Sequence, residues 1–465
     1  MADKKRGAIK KGNGLSSPLS HGLENPCPIA KLKENGLSSP LEGSWTNVLI
    51  ADALEKVSIG KQNQILSSEM LSHGIFPVID QGQGYIAGYC NDESRVILKE
   101  LPLIIFGDHT RCVKYVDFPF VLGADGTKVL KPKGTLLDTK FFYYALRSLN
   151  IPNRGYNRHF SVLKEKIVPV PPLPEQRSIA VILGQVQKAI EEQEKLLALT
   201  AELKRTLLHQ LFTRGLRNEP QKQTDIGPIP KSWEVVPLAD RFHTQLGKML
   251  SQKAHGGDDP KPYLRNKNVQ WGCIGTTDLL DMDFNERERK KFILMHGDLL
   301  VCEGGEPGRA AIWHGELEEC YYQKALHRLR PKDQRSTNQF LYHWLTYAFR
   351  IRNVYGVSGA SSTIAHMPEA QLKILPIPIP SRMEQNEICD ALNSVDDRLA
   401  FYQRKHATLS DLFRTLLHQL MTGQINVDTT RVCSSAISWT SRLRVNQTMT
   451  GIDLREAAKC AKGKE

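Results

Sequence analysis

Arg205-Thr206-Leu207-Leu208-His209-Gln210-Leu211 recurs letter for letter as Arg414-Thr415-Leu416-Leu417-His418-Gln419-Leu420, 209 residues further on. Glu175-Gln176 and Glu384-Gln385 stand the same 209 residues apart, so the stretch between aligns without a gap. One element is used twice. In the second copy Ile388, Leu392, Val395, Leu399, Tyr402, His406, Leu409, Phe413, Leu416 and Leu420 are spaced alternately by four and three, the heptad seam of a helix that lies against another helix. The aligned positions of the first copy are Ile179, Leu183, Val186, Ile190, Gln193, Leu197, Thr200, Lys204, Leu207 and Leu211, seven of the ten being apolar.

The ends agree with the periodicity. Ser381-x-x-Glu384 can form a capping box, Pro174 suits a first helical turn, and Gly215 and Gly423 follow the last apolar turns. Each helix is expected to run about 38 residues, roughly 55 Å long. Packing across its own domain as core is the commoner fate of an amphipathic stripe. Length argues against it, because a domain of about 130 residues has a radius of gyration near ~14 Å. The seam needs a partner, and the repeat supplies one in the same chain, as an antiparallel intramolecular coiled coil.

Outward from each helix start runs a Pro-rich segment, Val168-Pro169-Val170-Pro171-Pro172-Leu173-Pro174 and Pro376-Ile377-Pro378-Ile379-Pro380. Proline blocks both helix and ladder hydrogen bonds, so these segments read as extended, stiff connectors. Upstream of each lie short β-rich runs, such as Leu103-Ile104-Ile105-Phe106 and Leu299-Leu300-Val301-Cys302, and an aromatic amphipathic helix, Phe141–Leu146 and Phe340–Leu345. The fold class is therefore α+β, with two divergent copies of one globular module, each followed by a long helix. The expected boundaries are a mobile tail at 1–44, a first module at 45–172, a helix and linker at 173–226, a second module at 227–380, a second helix at 381–425 and a mobile tail at 426–465.

Lys and Arg outnumber Asp and Glu by 62 to 50, for a net charge of +12, which favours polyanionic partners. The nine cysteines show no Cys-x-x-Cys spacing and no paired histidines for zinc, which points to a reduced, cytoplasmic thiol set and no metal. No apolar run approaches the roughly 20 residues needed to span a bilayer, so no membrane partner is expected.

Globular module, Pro-rich exit, Glu-Gln start and long helix, all used twice, resemble the specificity subunit of type I restriction-modification systems. The local signatures are Gly155-Tyr156-Asn157-Arg158-His159-Phe160, the two Glu-Gln starts, Tyr263-Leu264-Arg265-Asn266-Lys267-Asn268-Val269 and Glu303-Gly304-Gly305-Glu306-Pro307-Gly308-Arg309. The resemblance covers about 45–425; the first module lacks the Gly-Pro-Ile-Pro entry found before Trp233. It implies two target recognition domains that each read one half of a split, asymmetric site on double-stranded DNA, with the helices setting the distance between halves. The implied partners are two modification (methyltransferase) subunits, one per helix repeat, and the restriction (motor-nuclease) subunits that join them.

Base readout favours Arg for guanine and Asn or Gln for adenine, with Lys and Arg on phosphates. On these grounds the candidate DNA-contacting residues are Gln81, Gln83, Tyr85, Arg154, Tyr156, Asn157, Arg158 and His159 in the first module. In the second they are Arg265, Asn266, Lys267, Asn268, Arg309, Ser361 and Ser362. Helix pairing is assigned to Ile179, Leu183, Val186, Ile190, Leu197, Leu207 and Leu211 with Ile388, Leu392, Val395, Leu399, Leu409, Phe413, Leu416 and Leu420.

No catalytic residue, cofactor or metal is assigned. Gly107-Asp108-His109-Thr110 lacks a positioned nucleophile and reads as a structural turn. Gly304-Gly305-Glu306-Pro307-Gly308 lacks the Lys-Ser/Thr ending of a phosphate loop, and there is no Asn-Pro-Pro-aromatic methyltransferase motif. His209 and His418 read as helix surface. Two competing classes remain, a self-contained metal-dependent nuclease, which needs clustered carboxylates, and a coiled-coil scaffold without nucleic acid.

Overall fold

The computed structural model describes residues 45–124, 126–153, 155, 157–250, 259–355, 366–425 and 427. Apart from Val427, both expected tails lie outside the described residues. The two long helices span Leu173–Arg214 and Arg382–Met421, 42 and 40 residues. The first opens with Pro174 in its first turn and stops at Gly215, whose φ of 66° suits a residue without a Cβ. The second opens on Ser381, whose side chain accepts from Glu384 N.

The helices lie antiparallel. Lys204 pairs with Asp396, and ten residues earlier Glu194 meets His406, ten residues later, at 3.3 Å. All fifteen assigned seam residues are buried or half-buried. Their partners change along the rod. Near one end Ile179, Leu183, Phe413 and Leu420 join Ile104, Phe106, Phe141 and Tyr144 in the first module's core. Near the other, Leu208, Phe212, Ile388 and Leu392 join Trp233, Leu299, Phe340 and Trp344 in the second. Pairing and core packing, weighed as alternatives from the sequence, therefore both occur. Each module sits across the start of its own helix and the end of the other, so neither core closes on its own helix alone.

Both modules rest on the same flank of the pair. That flank carries Gly184, where an added Cβ would lie 3.3 Å from Lys140 Nζ, and Gln187, which accepts from Arg147. It also carries Phe212 in the second module's core and Asn393 beside His343. Leu199, Leu203 and Phe401 project elsewhere and stay 68%, 51% and 53% exposed.

The two modules share one plan. A central antiparallel sheet places Leu103–Gly107 between Val113–Val116 and Thr127–Pro132, and in the second module Leu299–Cys302 between Ala310–Ile312 and Leu326–Pro331. Beside it runs a parallel pairing, Phe76–Ile79 with Val121–Gly123 and Pro260–Leu264 with Tyr321–Tyr322. The aromatic helices Thr139–Ser148 and Asn338–Leu345 cover the central sheets and bury their rings against the long helices.

The Pro-rich exits are extended, as expected, but they also pair. They are strands: Ile167–Val170 pairs with Thr46–Leu49, and Pro376–Ile379 with Glu234–Pro237. Successive residues of a strand direct their N–H groups to opposite sides, so prolines at alternate positions cost nothing in a two-stranded ribbon. Val168 and Val170 keep the donors that face the partner, and Pro169 and Pro171 occupy the outward positions.

The Glu-Gln starts clamp each module to its helix with the same bonds. Gln176, 1% exposed, accepts from Asp138 N at 2.8 Å and donates to Leu136 O at 3.0 Å and Pro171 O at 2.8 Å. Gln385, fully buried, accepts from Thr337 N and donates to Arg335 O and Pro380 O. The adjoining glutamates receive indoles: Trp233 Nε1 donates to Glu384 Oε2 at 3.1 Å, and Trp45 bonds Glu175. Burial pushes the Glu175 carboxyl above its usual range, and the Trp45 bond opposes that shift.

Gln176→Leu keeps the volume but leaves one backbone donor and two carbonyls without partners, at about 1–3 kcal/mol for each buried group left unsatisfied. Chemical denaturation is expected to show a loss of at least about 2 kcal/mol for this variant. A loss under about 0.5 kcal/mol would mean that the clamp is not structural.

Candidate nucleic-acid interface

Three loops converge on each module, at matching places. The first leaves the parallel strand, residues 80–87 and 265–275; the second follows the central strand, around Asp108 and Glu303; the third leads back toward the Pro-rich exit, around His159 and Met367. Backbone bonds tie the second and third of them in the same way in both modules. Asp108 N donates to Gly126 O and His159 N to Asp108 O; Glu303 N donates to Ala325 O and Met367 N to Glu303 O.

In the first module the Gly107–Thr110 segment is the hub, as expected of a structural turn. Asp108 Oδ1 accepts from Phe160 N at 2.8 Å, and Thr110 Oγ1 donates to Gln81 O at 2.5 Å. Gln81 Oε1 in turn accepts from His109 N at 3.2 Å. His159 is fully buried, with Nδ1 2.9 Å from Asp108 O. Gln83, Asn157 and Arg158 stand exposed at the convergence. Arg154 and Tyr156 lie outside the described residues.

Tyr85 is 47% exposed, and its hydroxyl donates to Tyr115 O. Burial, and then the charge of Asp117, raises its phenol pKa. With Gln83, Lys114, Tyr143, Arg147 and Phe413 it lines an open cleft of about 350 Å³ between the first module and the helix pair.

The second module uses its polar residues differently. Arg265 donates to the Asp278 carbonyl and, at 3.2 Å, to its carboxylate. Asn268, 3% exposed, caps Arg265 N at 2.9 Å and donates to Gly275 O and Asp278 Oδ1. Asn266 donates to Gly304 O, and Arg309 donates to Asn266 O at 2.9 Å. These four side chains hold the loops together. Lys267 is the exposed one of the Arg265–Asn268 set; it pairs with Asp278, and its hydrogen bond leads the interactions that hold that carboxyl below the usual range. Ser361 and Ser362 lie outside the described residues.

Two side chains at this rim fall outside the loops picked from sequence. Trp271 sits at the tip of the 265–275 loop, beside Gly272 at φ 77°, with Arg350 over its ring. A Trp next to a Gly within a polar loop was the available signal; Arg350, at the end of a helix 79 residues away, carried none.

His209 is exposed on the helix surface, as expected, and its Nδ1 also reaches the second module, 3.1 Å from Tyr347 Oη. Among the described residues, no group of three or more His, Cys, Asp or Glu is placed to hold a metal ion. Burial pushes the Cys302 thiol up to about 11, which suits packing and not nucleophilic attack. Among the described residues no helix is long and apolar enough to cross a membrane.

Comparison with known proteins gives one family. The model of the type I restriction modification DNA specificity domain matches twice, at residues 43–201 and 230–410. The MjaVIII specificity subunit of Methanocaldococcus jannaschii is 23% identical over 404 residues, 82% of this chain and 93% of the relative. The EcoKI specificity subunit of Escherichia coli is 23% identical over 208 residues, 43% and 44% of the two chains. In fold, the S subunit of a type I restriction-modification system from M. genitalium aligns with a TM-score of 0.56 at 18% identity, over 84% of this chain and 98% of that one. Two unlike loop sets on one flank of a duplicated helix pair, with both halves matched by the same model, place this chain in the type I restriction-modification DNA specificity family.

Proposed function

We propose that this chain is the non-catalytic, cytoplasmic DNA-reading subunit of a type I restriction-modification complex, with residues 45–172 and 227–380 each reading one half of an asymmetric, two-part site. The observation that carries the reading is that the three-loop convergence occurs twice on the same flank of one rod with different side chains. One duplex turn is roughly 34 Å, so readers held at the ends of helices of 42 and 40 residues, a rod of roughly 60 Å, can face the same side of the duplex one to two turns apart. In the first module Gln83, Asn157 and Arg158 are the proposed contacts, together with Arg154 and Tyr156. In the second, Lys267 serves, together with Ser361 and Ser362. Gln81, His159, Arg265, Asn266, Asn268 and Arg309 act by holding the loops in shape.

Methyl transfer and cleavage then belong to partner chains. Two modification subunits dock on the helix pair, one per repeat, and the restriction subunits join them. The exposed Leu199, Leu203 and Phe401 supply apolar surface for this docking away from the modules.

Replacing residues 45–172 with another module is expected to change one half of the methylated motif and leave the other half intact, as read by mapping methylated bases in host DNA. A change in both halves, or in neither, contradicts the assignment. Removing one heptad from each long helix is expected to alter the spacer between halves without altering the halves; an unchanged spacer would rule out the strut role. Lys267→Ala is expected to weaken binding of the assembled complex to all DNA sequences alike and to flatten the slope of log K against log salt by about one. An unaltered slope would remove Lys267 from the phosphate contacts.

A further inference from the structure

At the rim of the second module the Arg350 guanidinium carbon lies 5.7 Å from the centroid of the Trp271 ring. The indole is fixed in turn. Its N–H donates to Glu306 Oε1 at 2.6 Å, and its body packs against the core that holds Trp344 and Phe349. A cation over a tryptophan face is favourable, and a planar guanidinium can lie flat there with its N–H edge directed outward. Arg350 is exposed, and among the described residues it has neither a hydrogen bond nor an ion pair.

Backbone geometry supplies a second, independent observation. Residues Thr346–Ile351 form a π-helical turn, in which Arg352 N donates to Tyr347 O, five residues back, at 3.0 Å. Such turns are rare and frequently sit at functional sites. One residue corresponds to about 100° of rotation around a helix, so the widened turn decides whether Arg350 meets the indole or misses it. The matching helix of the first module, Thr139–Ser148, has no such widened turn and closes with Leu149 N on Leu146 O, three residues back.

We propose that Arg350 reads a guanine in the half-site of the second module, with Trp271 and Glu306 as the residues that position it. This rests on the DNA-reading function proposed above. A guanidinium is more weakly hydrated than an ammonium, and its forked edge matches two acceptors side by side; guanine O6 and N7 form that pair in the major groove. A phosphate asks only for charge, which the exposed ammonium of Lys267 supplies from the neighbouring turn.

The test uses the full chain assembled with its modification subunits and compares Arg350→Ala, Arg350→Lys, Trp271→Phe and Trp271→Ala with the unaltered complex. The readouts are the methylated motif in genomic DNA and the affinity for duplexes varied one base pair at a time. Arg350→Ala and Arg350→Lys are both expected to lose about 10- to 100-fold discrimination at one G·C pair of the second half, with the first half untouched. Trp271→Phe keeps a ring face and is expected to keep most of that discrimination. Trp271→Ala is expected to lose it at the same base pair.

Arg350→Lys behaving like the unaltered complex, or Arg350→Ala weakening all sequences equally, would show a phosphate contact and overturn the proposal. A defect in the first half, or one spread over several positions, would overturn it as well. An unaltered complex that methylates no two-part motif would sink the DNA-reading function itself, an outcome separable from these. Arg350 is exposed, so its variants are expected to fold; Trp271→Phe covers the case in which Trp271→Ala does not.

Discussion

Everything in this molecule depends on how firmly a module is attached to its helix, and the attachment is a buried amide. Gln176 and Gln385 each satisfy one backbone donor and two backbone carbonyls from two separate segments of chain, in a place that water does not reach. Only a side chain with both a carbonyl oxygen and an NH2 group can do this. Glutamate would present acceptors to carbonyls, and leucine would leave all three groups bare. The glutamate beside each glutamine receives an indole N–H from the module's first residues, so the entry and exit of each module are gripped by neighbouring side chains of one helical turn. A reader that is to measure distance along DNA cannot swivel on its mount, and this double grip removes the swivel.

Much of this was legible in the letters because it is periodic or duplicated. The gapless 209-residue repeat revealed two helices, and the alternation of four and three along Ile388 to Leu420 revealed that they pair. The seam could not reveal that its ends belong to the modules. Ile179 and Leu183 look the same in a heptad pattern whether a helix or a sheet covers them, and only the tertiary arrangement puts Phe141 and Tyr144 there. The Pro-rich exits are extended as their letters imply, and their pairing as strands stays hidden for a related reason. Proline removes a donor, but a strand in a two-stranded ribbon uses only every second donor, and the alternation in Val168-Pro169-Val170-Pro171 keeps the useful ones.

The candidate interface was legible by place and not by side chain. The loops rich in Arg, Asn and Gln do converge, and they converge at equivalent points of the two modules. Residue type alone cannot separate an asparagine that faces solvent from one that builds a turn. Asn268 caps the backbone of Arg265 and is buried, whereas Asn157 stands exposed. Amides and guanidinium groups suit both tasks because both tasks need several donors in a fixed geometry. Arg350 escaped notice because its setting depends on a widened helical turn and on an indole far away in the chain, neither of which leaves a local pattern.

The way each module straddles both rods has a consequence for synthesis. The first module's strands and aromatic helix are complete by Val170, yet Phe413 and Leu420, which close the underside of its core, come about 250 residues later. At roughly 5–20 residues per second, a nascent chain waits on the order of 10–50 s without Phe413 and Leu420 over that core. During that interval the first rod stands without its mate and its greasy stripe faces water. The ribosome thus releases a protein whose oldest part is the last to be sealed.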